Sequence, residues 1–335
     1  MWGLSSHRPV LCLKVGGRAL AWGESTKTWR GRHRYRCALS PIPPGVVKPS
    51  PIECNIVDRG AFEERVRSLA GQPRPLRLFG HTILSGLPRP MTLVLPDIAV
   101  RSSVLQLEQV PARREEQEAL IRWRLGQEQR LPLSGAKLHW QVFPPRQAKP
   151  GVHGVHMVLV IAIQESILTE YEAACEAVGL LPQEVTVASF RLFDLWLKAA
   201  GGTRCLNRDL AWVTVLDGAL TCLIIHDGRP VFTRTKFLAA DPLSGEEMEG
   251  QDTIAKVVRE TELSILACRE HVPELNLARL VLMTETELAG LEDQLGHDFS
   301  VSTDQLHWDH VESVGWSHDG GSTSLTALPV VAGLM

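Results

Sequence analysis

A chain of 335 residues with 44% hydrophobic content can bury a substantial core and is long enough for two domains or one bilobed unit, which excludes a disordered polymer. A formal net charge of −3 gives no global field toward DNA or an acidic membrane, so any such contact must come from a local patch. The seven cysteines (Cys12, Cys37, Cys54, Cys175, Cys205, Cys222 and Cys268) include no C-x-x-C pair, which argues against a disulfide framework or zinc knuckle and fits a reducing cytoplasm. No signal-peptide pattern follows Met1, and apolar runs such as Met157 to Ile163 fall far short of the roughly 20 residues that cross a bilayer; the expectation is a soluble protein.

Three short strands open the chain, at Leu11 to Leu13, Leu20 to Trp22 and Trp29 to Cys37, joined by tight turns. Prolines 41, 43, 44, 49 and 51 then impose an extended loop. Phe62, Val66 and Leu69 share one face of a helix that Gly71 closes, and Met91 to Pro96 reads as a buried strand. Val100 to Leu107 is strand-like, a charged helix runs from Pro111 to a stop at Pro132, and Leu138 to Phe143 and His156 to Ile163 supply two more strands of a small α+β unit. The periodicity of Ile167, Tyr171, Ala174, Cys175 and Val178 predicts a helix ended by Gly179, and another spans Ser189 to Ala200 before a boundary at Gly201-Gly202.

After that boundary, "LAWVTVLDGALTCLIIHDGRPVFTRTKF" repeats the opening plan of strand, turn and strand, with a hairpin signal at Asp227-Gly228. A long amphipathic helix carries Ile254, Val257, Val258, Thr261, Ile265 and Cys268 and stops at Pro273. A strand at Arg279 to Met283 and a helix through Leu288, Leu291 and Leu295 follow. Thr284 and Glu287 are spaced as a capping box for that helix.

Two strand meanders, each followed by helices, with an α+β insertion in the first half, form the plan of the actin-like ATPase fold. The wording resembles the PilM family of type IV pilus assembly proteins and, more distantly, the cytoplasmic part of GspL in type II secretion. The likeness is carried by "LSPIPPGVV" (Leu39 to Val47), "LVLPDIAVRSSVLQLEQVP" (Leu93 to Pro111), "IRWRLGQEQRLPL" (Ile121 to Leu133), "YEAACEAVGLLPQEVTVASFRLFDLW" (Tyr171 to Trp196), "GRPVFTRTKF" (Gly228 to Phe237) and "LPVVAGLM" (Leu328 to Met335). It implies an α/β, RNase H-like bilobed fold: a first lobe at 1–97 and 169–202, an FtsA-type insertion at 98–168, and a second lobe at 203–335 with a reduced helical subdomain between Phe237 and Asp252.

The resemblance also locates a nucleotide cleft, and the sequence departs from it at each motif. Where the family's first hairpin reads Asp-Ile-Gly-Ser, this chain has Lys14, Val15, Gly16 and Gly17, and an ammonium cannot ligate magnesium. Aligned without a gap on Thr221, the second hairpin becomes Val215, Leu216, Asp217 and Gly218, so Asp217 recovers the acidic position only if one residue has been deleted. Thr284 stands where a glycine-rich adenosine loop belongs. The expectation is a degenerate nucleotide site formed by Lys14, Gly16, Gly17, Asp217, Gly218 and Thr284, with no catalytic residue and no cofactor; ATP with magnesium is what an intact site would take.

The expected function is therefore a non-enzymatic PilM-like scaffold of a type IV pilus or type II secretion-like machine. It would be cytoplasmic and held at the inner membrane through a partner, the N-terminal tail of a PilN-like single-pass protein, with self-association a further possibility and nucleic acid not a partner. The rivals are an active actin-like ATPase with nucleotide-regulated partner binding and a solitary GspL-like module. The resemblance places the tail in a groove between the first lobe and the insertion, for which Arg101, Leu105, Trp123 and Arg124 are the candidates, Trp123 also reading as core. Two other clusters stand out. Arg30, Arg32, Arg34 and Arg36 alternate along what reads as an edge strand beside Trp29, either a solvated face or a patch for anionic lipid or an acidic partner. His307, Asp309, His310, His318 and Asp319 are metal-competent, but their spacing reads as a surface loop and no metal site is expected.

Overall fold

The computed structural model describes residues 9–71, 76–78, 81–84, 87–128, 133–145, 154–238 and 250–335. The opening meander is β1 (Leu11–Val15), β2 (Ala19–Lys27) and β3 (His33–Pro41), followed by α1 (Arg59–Ala70), a small hairpin of β4 (Leu76–Leu78) and β5 (His81–Leu84), and β6 (Arg89–Leu95). Next come β7 (Arg101–Leu107), α2 (Arg114–Glu128), β8 (Ala136–Phe143), β9 (His156–Gln164), α3 (Glu165–Glu176), β10 (Leu180–Val187) and α4 (Ala188–Ala199). The second half holds β11 (Asp209–Leu216), β12 (Ala219–His226), β13 (Arg229–Phe237), α5 (Gly250–His271), β14 (Leu277–Thr284), α6 (Leu291–Phe299), β15 (Ser302–Gln305), α7 (Trp308–Ser313), β16 (Trp316–Gly321) and α8 (Leu328–Leu334).

Two sheets repeat one design. The first is ordered β10-β6-β1-β2-β3-β16 and the second β13-β12-β11-β14-β15. In each, an antiparallel three-strand meander is extended on its first strand by two parallel strands, β6 and β10 in one and β14 and β15 in the other. Between β6 and β10 the chain builds a separate antiparallel sheet, β7-β9-β8, covered on one face by α2.

The period-2 alternation of the strands decides what each face buries. Leu13 and Val15 of β1 join Phe62, Val66, Ile167 and Tyr171 under α1 and α3, whereas Cys12 faces the second lobe in a core with α4 and α8. In β11, Ala211, Val213 and Val215 pack toward α5 and α6, and Leu210, Trp212 and Leu216 enter that central core from the other side. Lys14, two residues after Cys12, and Thr214, two after Trp212, are thereby aimed at each other's lobe, and both are fully buried.

Several expectations are corrected. The second meander strand pair turns later than expected: Trp29 to Arg32 form the tip of the hairpin, and β3 begins at His33. Nor is β3 an edge, because β16 pairs with it in parallel. The stretch from His307 to Asp319 is a helix and a strand instead of a loop, with β16 in the first sheet. The closing segment also returns to the first lobe, so the division at 203–335 does not follow the sheets: α8 packs on β1, β2 and β6. The stop at Pro132 and most of the shortened segment after Phe237 lie outside the described residues.

The seat of α8 depends on two glycines. A Cβ on Gly23 would lie 2.1 Å from Val330 Cγ1, and one on Gly333 would lie 2.6 Å from Cys12 Sγ. Gly23→Val should therefore cost about 1–3 kcal/mol or more through overpacking, read as a lower denaturant midpoint. Gly126→Ala, on the exposed face of α2 with none of the described residues within 4 Å of the new methyl apart from its own helix backbone and chain neighbours, should instead stabilise by roughly 0.5–1 kcal/mol; equal effects of the two would contradict this seating.

Candidate functional site

The first hairpins of the two lobes meet tip to tip. Asp217 and Gly218 form the two-residue turn between β11 and β12, both with positive φ (51° and 73°), as an Asp-Gly hairpin turn of the primed type requires. That turn presents the Asp217 carboxylate to Lys14, whose Nζ lies 2.7 Å from Oδ2, the side chains being 0% and 6% exposed. Glu285, just past β14, accepts a hydrogen bond from the Asp217 amide at 2.9 Å and stands 4.0 Å from the same ammonium. Gly16 completes the contact, because a Cβ there would fall 2.1 Å from Asp217 Oδ1. The room that a glycine turn would leave for a phosphate is taken by a carboxylate of the opposite lobe.

A second link runs beside it. Asp97, in a short 3-10 turn after β6, accepts hydrogen bonds from the Ser189 amide at 3.1 Å and the Ser189 hydroxyl at 2.5 Å. Ser189 is also hydrogen-bonded through its hydroxyl to Thr214 of β11 in the other lobe. All three residues are buried.

These groups share one electrostatic environment. Burial pushes the Lys14 ammonium toward neutrality, but the carboxylates of Asp217 and Glu285 more than offset it and hold the group above its ordinary value. Burial raises Glu285 to about 7, helped by Asp217 and opposed by Lys14. Asp97 rises to about 6, again mainly through burial, with the Ser189 hydrogen bonds pulling the other way.

Of the residues expected at a nucleotide site, Lys14, Gly16, Asp217 and Gly218 come together. Gly17 packs toward Pro49, with a Cβ position 3.5 Å from its Cδ. The capping box at Thr284 is not formed: Thr284 ends β14 and is buried, its hydroxyl without a hydrogen-bond partner among the described residues, and α6 starts at Leu291 behind Gly290. The spacing of Thr284 and Glu287 is coincidental because strand pairing with β11 continues through Thr284. Asp97, Ser189, Thr214 and Glu285 were missed; Asp97 and Thr214 each interrupt an apolar run, the one local signal on offer, whereas Glu285 stands among the polar residues Thr284, Thr286 and Glu287 and gives none.

A groove of about 420 Å³ separates the insertion from the first lobe. Strands β8 and β9 of the insertion contribute Lys137, Leu138, His139, Ile161 and Ile163; Val100 and Leu168 line it where the chain enters and leaves the insertion, and the lobe contributes Leu95, the stretch from Gln183 to Val187, Phe190, Arg191 and Asp194. Arg191 is ion-paired with Glu184 and lies 3.8 Å from Asp194, so the charges on its wall compensate one another. β10 is the outermost strand of its sheet here, and it bulges between Pro182 and Glu184.

None of Arg101, Leu105, Trp123 and Arg124 lines this groove. Leu105, with Val158 and Val160, faces α2 inside the insertion's own core, so α2 and its exposed Trp123 lie on the opposite face of that sheet from Ile161 and Ile163. The Arg124 guanidinium is beside the Trp123 ring at 5.6 Å, and Arg101 begins β7, the strand farthest from β8 and next to β13 of the second lobe. The metal-competent histidines are engaged locally: the His307 amide donates to His310 Nδ1 at 3.3 Å, and among the described residues no three His, Cys, Asp or Glu side chains are grouped to hold a metal. No described helix is long and apolar enough to cross a membrane.

No family model matches the chain, and no curated protein matches it. Among solved structures, a chain of the PilM–PilN type IV pilus biogenesis complex is 18% identical, covers 97% of this chain and 98% of its own, and superposes with a TM-score of 0.68. The cytoplasmic domain of EpsL, an inner-membrane component of the type II secretion system of Vibrio cholerae, matches at 10% identity over 97% and 93% of the two chains with a TM-score of 0.44. MreB5 of Spiroplasma citri bound to AMPPNP matches at 10% identity over 92% and 93%, with a TM-score of 0.42. The fold is that of actin-like ATPases.

Removing one member of a buried ion pair strands the other. Lys14→Met should cost about 3–5 kcal/mol, and adding Asp217→Asn, which tolerates the positive φ, should recover part of that loss in the double variant; strictly additive losses would show that the two groups do not interact. The pH dependence has a defined sign. A carboxyl whose native pKa is raised from 4.5 to about 7 favours the fold below about pH 4.5, and that contribution is lost as pH rises through about 7. Between those values wild type should lose about 1–3 kcal/mol relative to Glu285→Gln, which keeps the acceptor for the Asp217 amide; parallel stability curves would contradict the assignment.

Proposed function

From the fold it shares with the PilM–PilN complex structure, we propose that this chain is a PilM-like scaffold of a type IV pilus or type II secretion-like machine, acting by binding and without nucleotide chemistry. The observation that carries the reading is the Lys14–Asp217 pair, buried at the meeting of the two hairpins. A magnesium nucleotide needs positive charge supplied by the metal and backbone N–H groups free to meet phosphate. Here the ammonium supplies the charge from within the protein, and the Asp217 amide is spent on Glu285. The residues present therefore do not fit a magnesium nucleotide, and the lobes are joined without one.

The groove is the working surface in this reading. Its apolar walls suit the side chains of an extended peptide, and the outer edge of β10 offers main-chain donors and acceptors for strand addition. The partner is the N-terminal cytoplasmic tail of a PilN-like single-pass inner-membrane protein, which would hold the scaffold at the membrane from the cytoplasmic side.

Calorimetry with Mg-ATP and Mg-ADP should detect no binding tighter than about millimolar, equivalent to roughly 4 kcal/mol. A micromolar dissociation constant would overturn the non-nucleotide reading and favour the regulated ATPase. Peptides made from the cytoplasmic tails of single-pass membrane proteins encoded beside this gene should bind the full chain. Combined Lys137→Glu and His139→Asp should weaken that binding by about 1 kcal/mol or more, while Arg101→Glu and Arg124→Glu, outside the groove, should not. Binding that responds only to the latter pair would move the site to the α2 side, and failure of every tail to bind the folded protein would sink the scaffold function.

A further inference from the structure

We propose that the tip of the β2–β3 hairpin is a direct docking element for an anionic lipid surface, separate from the peptide groove and not dependent on it. The tip is a built turn: the Thr28 amide donates to the Arg32 carbonyl at 2.8 Å, the Gly31 amide to the Thr28 carbonyl at 2.9 Å, and the Arg32 amide to the Thr28 hydroxyl at 3.1 Å. It projects Trp29 into solvent, 88% exposed, more than any other large hydrophobic side chain among the described residues. An ordered turn that displays an indole in this way gains nothing for the fold from that indole.

The surroundings of the ring define the occupant. From Lys27 to Arg36 the sequence contains Lys27, Arg30, Arg32, Arg34 and Arg36 and no Asp or Glu. Among the described residues Lys27, Arg30 and Arg32 have no carboxylate partner, whereas Arg34 reaches Asp319 at 3.3 Å farther along the strand. Arg36, farther in, likewise has no carboxylate partner among the described residues, and the unneutralised cations of the tip, Lys27, Arg30 and Arg32, flank the exposed ring. An amphipathic indole among cations matches the interfacial zone of an anionic bilayer, where the ring sits at headgroup depth and each basic side chain adds electrostatic attraction. Single-stranded nucleic acid is matched less well, because it is held by several stacking rings in succession and this tip offers one, with the Arg30 guanidinium already over its face at 4.5 Å.

The test is co-sedimentation of the full chain with phosphatidylcholine vesicles, with and without about one-third phosphatidylglycerol. The protein should bind only the anionic vesicles, and binding should fade as salt shortens the screening length to about 3 Å near 1 M. Trp29→Ala and the double variant Arg30→Glu/Arg32→Glu should each lower the apparent affinity about tenfold or more, with unchanged thermal midpoints because these side chains are exposed. Equal binding to neutral vesicles, or anionic-vesicle binding indifferent to both variants, would overturn the proposal. So would tight binding of a single-stranded oligonucleotide lost in the same variants while vesicles are ignored. Tail-peptide affinity measured on the same variants should stay at the wild-type value, which separates this surface from the groove.

Discussion

The ion pair between Lys14 and Asp217 is the constraint around which the two lobes are arranged. An ammonium with no exposed surface is tolerable only beside negative charge, and the nearest carboxylate belongs to the other lobe. Separating the lobes would expose both charges to water and also undo the apolar core shared by α4, α8, Trp212 and Met283. The hydrogen-bonded series from Asp97 through Ser189 to Thr214 adds a second polar tie across the same boundary. The lobes are thus joined at the meeting of the hairpins by polar groups of the chain itself.

The insertion gains its orientation from the same arrangement. Its β7 lies along β13 of the second lobe, with the Ser102 and Thr233 hydroxyls 3.1 Å apart and Arg229 donating to the Val155 carbonyl at 3.3 Å. One face of its sheet is spent on α2 and the other stands over the first lobe, which leaves the groove open along β10. The groove is thus bounded by an insertion that contacts both lobes, at the place where the proposed scaffold would hold an extended peptide.

Much of the fold was legible because periodicity is local. The alternation in β1 and β11 and the helical spacing of Ile167, Tyr171 and Cys175 are set by which face meets the core, and the repeated meander followed from two similar patterns. The site was legible only in part. Lys14 announced that the metal position had changed, yet its partner depended on which hairpin tip faces which, a long-range fact that no local pattern encodes. Glu285 was hidden inside a sequence with the spacing of a helix cap, and the strand overrode that local preference by continuing through Thr284. Trp123 and Arg124 resemble hot-spot residues in composition, but α2 carries them on the face of the insertion's sheet away from the groove, which follows from the packing of Leu105, Val158 and Val160 against α2 and not from any local pattern.

If the protein's own charges close the cleft, hydrogen exchange reads it directly. Amides of the two hairpins, Val15 to Leu20 and Leu216 to Leu220, should exchange slowly in the free protein and at the same rates in saturating Mg-ATP, and Lys14→Met should accelerate both hairpins together. Fast exchange at both tips in the free protein, slowed on addition of Mg-ATP, would contradict closure by the Lys14–Asp217 pair and return the cleft to a nucleotide.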